Sequence, residues 1–110
     1  CFVSVHCNSS ATPTAHGIET IYRDDMDFEL AKNIHSALIA QTELRDRGIK
    51  QDLSGLGRRL AVLGDYETPA CLTEIGFISN AEDLAVIEDE KVISSAINEG
   101  ITNWGRATNV

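Results

Sequence analysis

The segment 69–80, PACLTEIGFISN, constrains the fold of this chain more than any other. Apolar residues dominate both of its alternating faces, which predicts a strand in the middle of a sheet that is covered on both sides. Pro69 suits its first position, where no ladder hydrogen bond is yet required. One carboxylate, Glu74, stands in the middle. Because burying it ionised and unpaired would be costly, Glu74 must hold a proton, contact a cation or lie at the open edge of the sheet.

The rest of the chain alternates strand and helix patterns. The predicted elements are a strand over 1–6, a loop over 8–17, a strand over 18–22, a helix from Asp24 or Asp25 to Gly48, a strand over 60–63, a turn over 64–68, the strand 69–80, a short helix over 84–87 that Asn80 caps, and a helix over 92–104. Residues 46–59 are charged and glycine-bearing and predict no element. This pattern predicts an α/β fold in three layers (αβα), a mostly parallel twisted sheet with helices on both faces.

The chain begins directly in a strand pattern, without an initiator Met, a signal peptide or a capping turn. A domain rarely begins in the middle of its sheet. We therefore expect residues 1–110 to be a single domain that forms the later portion of a longer catalytic domain, with the N-terminal part missing from this chain.

Charge and cysteine content exclude several classes of function. A formal net charge of −8 argues against nucleic-acid binding, which needs a basic face. Five of the nine basic residues do fall between Arg45 and Arg59; they could meet an anionic ligand, although a solvated loop balanced by nearby acids is the simpler interpretation. The three cysteines lack metal-ligand spacing. No apolar run approaches the ~20 residues of a membrane-spanning helix.

Two polar residues stand at or near the ends of predicted strands, where α/β sheets collect their ligands. They are His6 on the first strand and Glu74 on the central one. Alone, His6 could be a structural histidine, and Glu74 could be a structural carboxylate paired with an arginine. Together, an imidazole and a carboxylate are the groups of a catalytic zinc site.

Four blocks of the sequence resemble the type 3 N-acetylmuramoyl-L-alanine amidases. Residues 2–9, FVSVHCNS, are similar to the family's FVSIHANA, and residues 17–22, GIETIY, to its GVETFY. Residues 45–50, RDRGIK, contain a form of its DRGVK, and residues 69–80 resemble PAVLVEIGFISN almost position for position. The blocks occur in the family's order and cover most of the chain.

The resemblance implies zinc-dependent hydrolysis of the amide between N-acetylmuramic acid and L-alanine in peptidoglycan. His6 is then a Zn²⁺ ligand and Glu74 the catalytic acid and base, with Asn8 and Glu19 beside them. Peptidoglycan is the implied substrate and partner, without nucleic acid or a membrane span. The implied location is the periplasm or the extracellular cell wall. The enzyme would be either a bacterial protein or one delivered by a phage.

The chain also departs from the family pattern. The family's two other zinc ligands, a His in an N-terminal turn and a Glu on a following helix, have no counterpart, and neither His16 nor His35 stands on a ligand motif. One protein ligand cannot hold zinc in an open three-ligand site. We therefore expect the chain to be inactive unless the missing half is supplied from elsewhere.

The sequence has three alternative interpretations besides amide hydrolysis. A non-catalytic cell-wall-binding or regulatory remnant of an amidase domain would carry the same motifs. Thiol chemistry by Cys7 or Cys1 with His6 is disfavoured, because adjacent residues on a strand point to opposite faces. A phosphate-binding loop at Gly55-Leu56-Gly57 is rejected, because Leu60 takes the place of the third glycine.

Overall fold

A computed structural model describes residues 1–64 and 67–108. Its strands are β1 (Phe2–Asn8), β2 (Ile18–Tyr22), β3 (Asp46–Gln51) and β4 (Ala70–Phe77), in the spatial order β1-β4-β2-β3. β1 pairs with β4 and β2 with β3 in parallel, whereas β2 and β4 are antiparallel. The predicted α/β class is confirmed, with a mixed sheet in which β4 lies between two neighbours.

The two long helices cover one face of this sheet. They are α1 (Asp25–Thr42), which follows β2, and α4 (Glu90–Ala107), which the shorter α3 (Ala81–Ile87) joins to β4. They enclose the larger part of the core, whose fully buried members include Ile18, Leu30, Ile34, Leu38, Cys71 and Ala96. At Gly100 the two helices come so close that a Cβ would lie 2.5 Å from the Cα of Ile34.

A short stretch of chain covers the opposite face. Residues 52–63, called the covering segment below, contain helix α2 (Asp52–Leu56) and a 3-10 turn (Ala61–Leu63). Leu60 and Leu63 of this segment pack on Ile21, Ala70 and Leu72 of the sheet. The segment stands over the face of β4 that carries Leu72 and Glu74.

Side-chain hydrogen bonds fix the starts of α1 and α3. The Oδ2 atom of Asp27 accepts a hydrogen bond from the Asp24 amide, and its Oδ1 accepts one from the Ala70 amide at 3.0 Å, so one side chain ties α1 to the beginning of β4. Asn80 caps α3 by accepting from the amides of Glu82 and Asp83, as predicted. The start of α1 at Asp25 is also as predicted.

Three local predictions were wrong. Residues 60–63 form a 3-10 turn and not a strand, because Leu60 and Leu63 both reach the same apolar cluster. Helix α1 ends at Thr42, where Glu43 adopts the left-handed conformation (φ 58°), before Gly48 is reached. The charged residues Asp46–Gln51 form β3, an edge strand that pairs with β2 and whose side chains are mostly half-buried. The turn predicted over 64–68 lies partly outside the described residues.

Candidate active site

Three ionisable side chains form a row across three adjacent strands. His6 on β1 pairs in register with Glu74 on β4, and Glu74 pairs in register with Glu19 on β2. All three line a cavity of about 400 Å³ between the sheet and the covering segment. The remaining lining residues are Asn8, Ile21, Leu56, Arg58, Leu60, Ala61, Val62 and Leu72. The structure thus brings the two sequence-predicted site residues together at one cavity.

Glu74 is the least satisfied member of this row. Its Oε2 atom is buried and has no hydrogen-bond partner in the described part of the chain. Burial raises the pKa of Glu74 above its usual value; the imidazole of His6 opposes this, and the carboxylate of Glu19 adds to it. A carboxyl group in this environment is well placed to take up a proton and release it again.

His6 stands at the open side of the cavity. It is exposed, and its Nε2 shares a hydrogen bond of 2.9 Å with the hydroxyl of Ser4, which precedes it on the same strand face. Cys7 is exposed and does not line the cavity in the described structure. Burial raises the pKa of the other strand thiol, Cys71, to about 12. Cys1 is exposed and, like Cys7, does not line the cavity, so none of the three thiols shares the cavity with His6.

Glu19, in contrast with Glu74, is fully paired. Its Oε1 accepts a hydrogen bond from Asn8 Nδ2 at 3.2 Å, and its Oε2 contacts the ammonium of Lys50 and lies 3.8 Å from Arg47 Nε. Arg47 also lies over the ring of Phe77, 5.0 Å from its centroid. The two cations come from β3, the strand that the sequence did not predict. The signal that could have found them was the match of residues 45–50 to a family block.

The covering segment is anchored by a buried ion pair that the sequence reasoning also missed. Arg23 Nε lies 3.1 Å from Asp52 Oδ2, and the guanidinium donates further bonds to the carbonyls of Leu60 and Gly64 at 2.6 and 2.5 Å. Asp52 Oδ2 also accepts from the Leu60 amide at 3.1 Å. Burial opposes ionisation of Asp52, but the Leu60 amide and Arg23 outweigh it and hold its pKa below the usual value.

The other two histidines lie away from the cavity. His16 bonds through Nδ1 to the carbonyl of Thr14 at 2.7 Å. His35 is buried on the α1 side of the sheet, where its Nδ1 shares a bond of 2.9 Å with the Thr20 hydroxyl and its Nε2 lies 2.7 Å from Asp46 Oδ1. Both therefore serve local structure, as their positions outside the motifs indicated.

The donor set at the cavity suits one side of a metal site. The described residues supply the imidazole of His6 and the unpartnered Oε2 of Glu74. Within residues 1–64 and 67–108, no three His, Cys, Asp or Glu side chains come together in a way that could hold a metal ion. These residues alone do not complete the three-ligand set of a catalytic zinc site.

In the ranges 1–64 and 67–108, no helix has the length and apolarity to cross a membrane.

Comparison with known proteins gives a consistent result. The family model described as N-acetylmuramoyl-L-alanine amidase matches residues 1–103. The uncharacterized protein YqiI of Bacillus subtilis is 34% identical over 110 residues, covering 94% of this chain and 50% of that protein. The probable cell wall amidase LytH of Staphylococcus epidermidis is 29% identical, covering 94% and 34%. The chain thus spans from about a third to about half the length of these curated relatives.

Solved structures share the fold. The catalytic domain of CwlV, an N-acetylmuramoyl-L-alanine amidase from Bacillus (Paenibacillus) polymyxa var. colistinus, superposes with a TM-score of 0.80 at 33% identity, covering 94% of this chain and 56% of that one. The CwlD amidase from Clostridioides difficile, solved with the GerS lipoprotein, gives a TM-score of 0.82 at 29% identity, covering 96% and 54%. Each structure extends well beyond the matched part.

Proposed function

Since this chain belongs to the N-acetylmuramoyl-L-alanine amidase family, we propose that it acts in the zinc-dependent hydrolysis of the amide between N-acetylmuramic acid and L-alanine in peptidoglycan. In this proposal residues 1–110 are the later portion of an amidase catalytic domain. The protein would work in the cell wall, in the periplasm or outside the cell.

One observation carries the proposal: Glu74, with its buried and unpartnered Oε2, faces the same cavity as its register partner His6. The carboxylate of Glu74 would remove a proton from the attacking water and then deliver it to the leaving nitrogen of L-alanine. The water oxygen would first form a C–O bond to the carbonyl carbon, and the C–N bond would then break as the nitrogen receives the proton, leaving a lactyl carboxylate and a free amine. The raised pKa of Glu74 supports this double use, because a group with a pKa nearer neutrality exchanges protons more readily.

His6 would be one of the zinc ligands, through an imidazole that already faces the cavity. The remaining ligands would lie outside the residues described here, since these contain no three-ligand group. When bound, zinc supplies a positive charge that polarises a carbonyl oxygen and acidifies water. Asn8 and Lys50 would hold Glu19 in place beside Glu74 through their hydrogen bonds.

A second candidate is a non-catalytic module that binds cell wall. Such a module would use the same cavity to hold a muramoyl peptide. The two functions differ in turnover. The hydrolase releases the amino group of L-alanine from a muramoyl peptide, whereas the binding module retains the peptide unchanged.

The deciding experiment compares Glu74→Gln with the wild type in the full-length protein. We expect release of free L-alanine amine from N-acetylmuramoyl-L-alanyl peptide to fall by about 10² to 10⁴-fold, the usual loss of a general acid or base. The zinc content should not change. Glu29→Gln is the matched control, because Glu29 is exposed on α1 at the opposite face. Near-normal hydrolysis by Glu74→Gln would remove Glu74 from the mechanism, and a wild type without turnover would favour the binding module.

A further inference from the structure

The two walls of the cavity differ in charge. The sheet side carries His6, Glu19 and Glu74. The covering segment contributes one charged side chain, Arg58, on the other side. Aliphatic side chains, among them Leu60 and Leu72, line the space as well. A ligand that matched this cavity would be neutral at the Glu74 end and anionic at the Arg58 end.

Arg58 lines the cavity without an ionic partner among the described residues. Lys50 and Arg47 both face Glu19, and Arg23 is held by Asp52. Arg58 has no hydrogen bond or ion pair with any residue in the ranges 1–64 and 67–108. Its five N–H donors are therefore free for a ligand, and a planar guanidinium matches a carboxylate through two parallel bonds.

The backbone that carries Arg58 is fixed at both ends. On one side, Gly57 ends α2 in the left-handed conformation (φ 76°), and its amide bonds to the Leu53 carbonyl at 2.9 Å. On the other side, Leu60 is held through its carbonyl by Arg23 and through its amide by Asp52. The base of the Arg58 side chain is thus set in place before a ligand arrives, which lowers the entropic cost of binding.

The chemistry of the proposed substrate indicates where the anionic group lies. On the acyl side of the scissile amide, the N-acetylated sugar is neutral. On the peptide side, L-alanine is followed by a γ-linked D-glutamate, whose α-carboxyl group takes no part in the chain linkage and is either free or amidated. Two extended residues span roughly 7 Å, and the cavity of about 400 Å³ has the size of a small-ligand site.

We propose that Arg58 binds the α-carboxylate of the second stem-peptide residue, so that it selects substrates in which this carboxyl group is free over those in which it is amidated. This inference rests on the proposed function. The methyl group of L-alanine would meet the aliphatic lining, and the scissile amide would reach Glu74. Arg58 then determines specificity and takes no part in proton transfer.

The test uses two ligands that differ only in this group. They are N-acetylmuramoyl-L-alanyl-D-glutamate and N-acetylmuramoyl-L-alanyl-D-isoglutamine, whose α-carboxyl is a carboxamide. Dissociation constants are measured by calorimetry on the full-length protein in a Glu74→Gln background, which slows hydrolysis during titration. We expect the acid to bind about tenfold more tightly than the amide, as for a hydrogen bond to a charged group.

Substitutions then assign the preference to one residue. Arg58→Ala should bring the ratio of the two dissociation constants close to one, and Arg58→Lys should keep part of it. Arg59→Ala is the matched control, because Arg59 is adjacent and exposed but does not line the cavity, and it should retain the ratio. Since each ratio is measured within one variant, a partial loss of folded protein affects both ligands equally. Arg58→Gln, which keeps a polar side chain but removes the positive charge, replaces the alanine variant if the latter does not fold.

The outcomes separate this inference from the proposed function. Equal affinity of the parent protein for the two ligands would overturn the role of Arg58 while leaving muramoyl-peptide binding intact. A preference that survives in Arg58→Ala would also overturn it. Failure to bind either muramoyl ligand would overturn the proposed substrate and this inference with it.

Discussion

Glu74 and Glu19 are register partners on the antiparallel strands β4 and β2, and both side chains face the same cavity. Their surroundings differ. Glu19 contacts Asn8, Lys50 and Arg47, whereas Glu74 Oε2 has no partner in the described part of the chain. Two neighbouring carboxyl groups are thereby kept in unlike environments, one held by an amide and two cations and the other with an oxygen left unpartnered at the cavity.

The first prediction concerns the influence of Glu19 on its neighbour. Glu19→Gln removes a negative charge that contributes to the raised pKa of Glu74, so the pKa of Glu74 should decrease. The measurement is an NMR titration of the Glu74 carboxyl carbon in metal-free protein. Glu29→Gln, on the opposite face, should leave the titration unchanged. A Glu74 titration that does not move in Glu19→Gln would show that the two carboxyl groups are not coupled.

A second prediction tests the metal ligand. In the full-length protein, His6→Ala should weaken zinc binding by about tenfold or more, because the loss of a ligand costs at least as much as the loss of a residue that orients one. Zinc per protein is measured by elemental analysis after dialysis against a competing chelator. His16→Ala is the control, since the His16 ring contacts the Thr14 carbonyl away from the cavity. Unchanged zinc content in His6→Ala would contradict the assignment.

The third prediction concerns the buried pair Arg23–Asp52, whose side chains are 6% and 1% exposed. Asp52→Asn replaces a buried carboxylate that contacts both Arg23 and the Leu60 amide, and it should lower the free energy of unfolding by about 1 to 3 kcal/mol. Urea denaturation measures this loss. Arg59→Ala, at an exposed position, should change it by less than about 0.5 kcal/mol. A loss of similar size in both variants would mean that the ion pair does not anchor the covering segment.

The same pair gives stability a pH dependence. The pKa of Asp52 is lower in the folded protein than its ordinary value, so the folded state binds fewer protons than the unfolded state in the acidic range. Its contribution is complete above the ordinary Asp pKa of about 4 and is lost as the pH falls through the folded value. Denaturation at pH 7 and below pH 4 should therefore show a smaller difference between wild type and Asp52→Asn at acidic pH.

The fourth prediction concerns helix packing. Gly100→Ala would place a methyl group 2.5 Å from the Cα of Ile34, so α1 and α4 would have to separate. We expect a loss of about 1 to 3 kcal/mol, typical of overpacking. Thermal or urea unfolding measures it. Asn103→Ala, exposed on the same helix, is the control and should be neutral or slightly stabilising, because alanine favours helix. Equal stability of both variants would mean that the helices can move apart freely.

The sequence predicted the parts of this fold that carry strong periodic signals. The two apolar faces of the strand around Glu74 predicted its inner position, and Asn80 predicted the start of α3. The places of His6 and Glu74 near strand ends, together with the family resemblance, suggested that they converge, but their register pairing was not predicted, because they are 68 positions apart and strand order is not encoded locally.

What the sequence did not predict depends on contacts between distant residues. β3 is an edge strand with half-buried polar side chains, so it lacks the alternation that identifies a strand. Arg23 and Asp52 are 29 positions apart, and neither stands in a motif that would indicate a buried ion pair. Such a pair is recognisable only when the fold has brought both charges out of water.

The anchoring of the covering segment separates the two walls of the cavity from each other. Arg23 and Asp52 hold the chain at positions 52, 60 and 64, so residues 53–59 form a short insert between fixed points. Such an insert can be exchanged for another of equal length while Glu74 and His6 stay where they are. New residues at positions 56 and 58 would then change the shape and charge of one wall of the cavity and leave the row of ionisable side chains on the sheet intact.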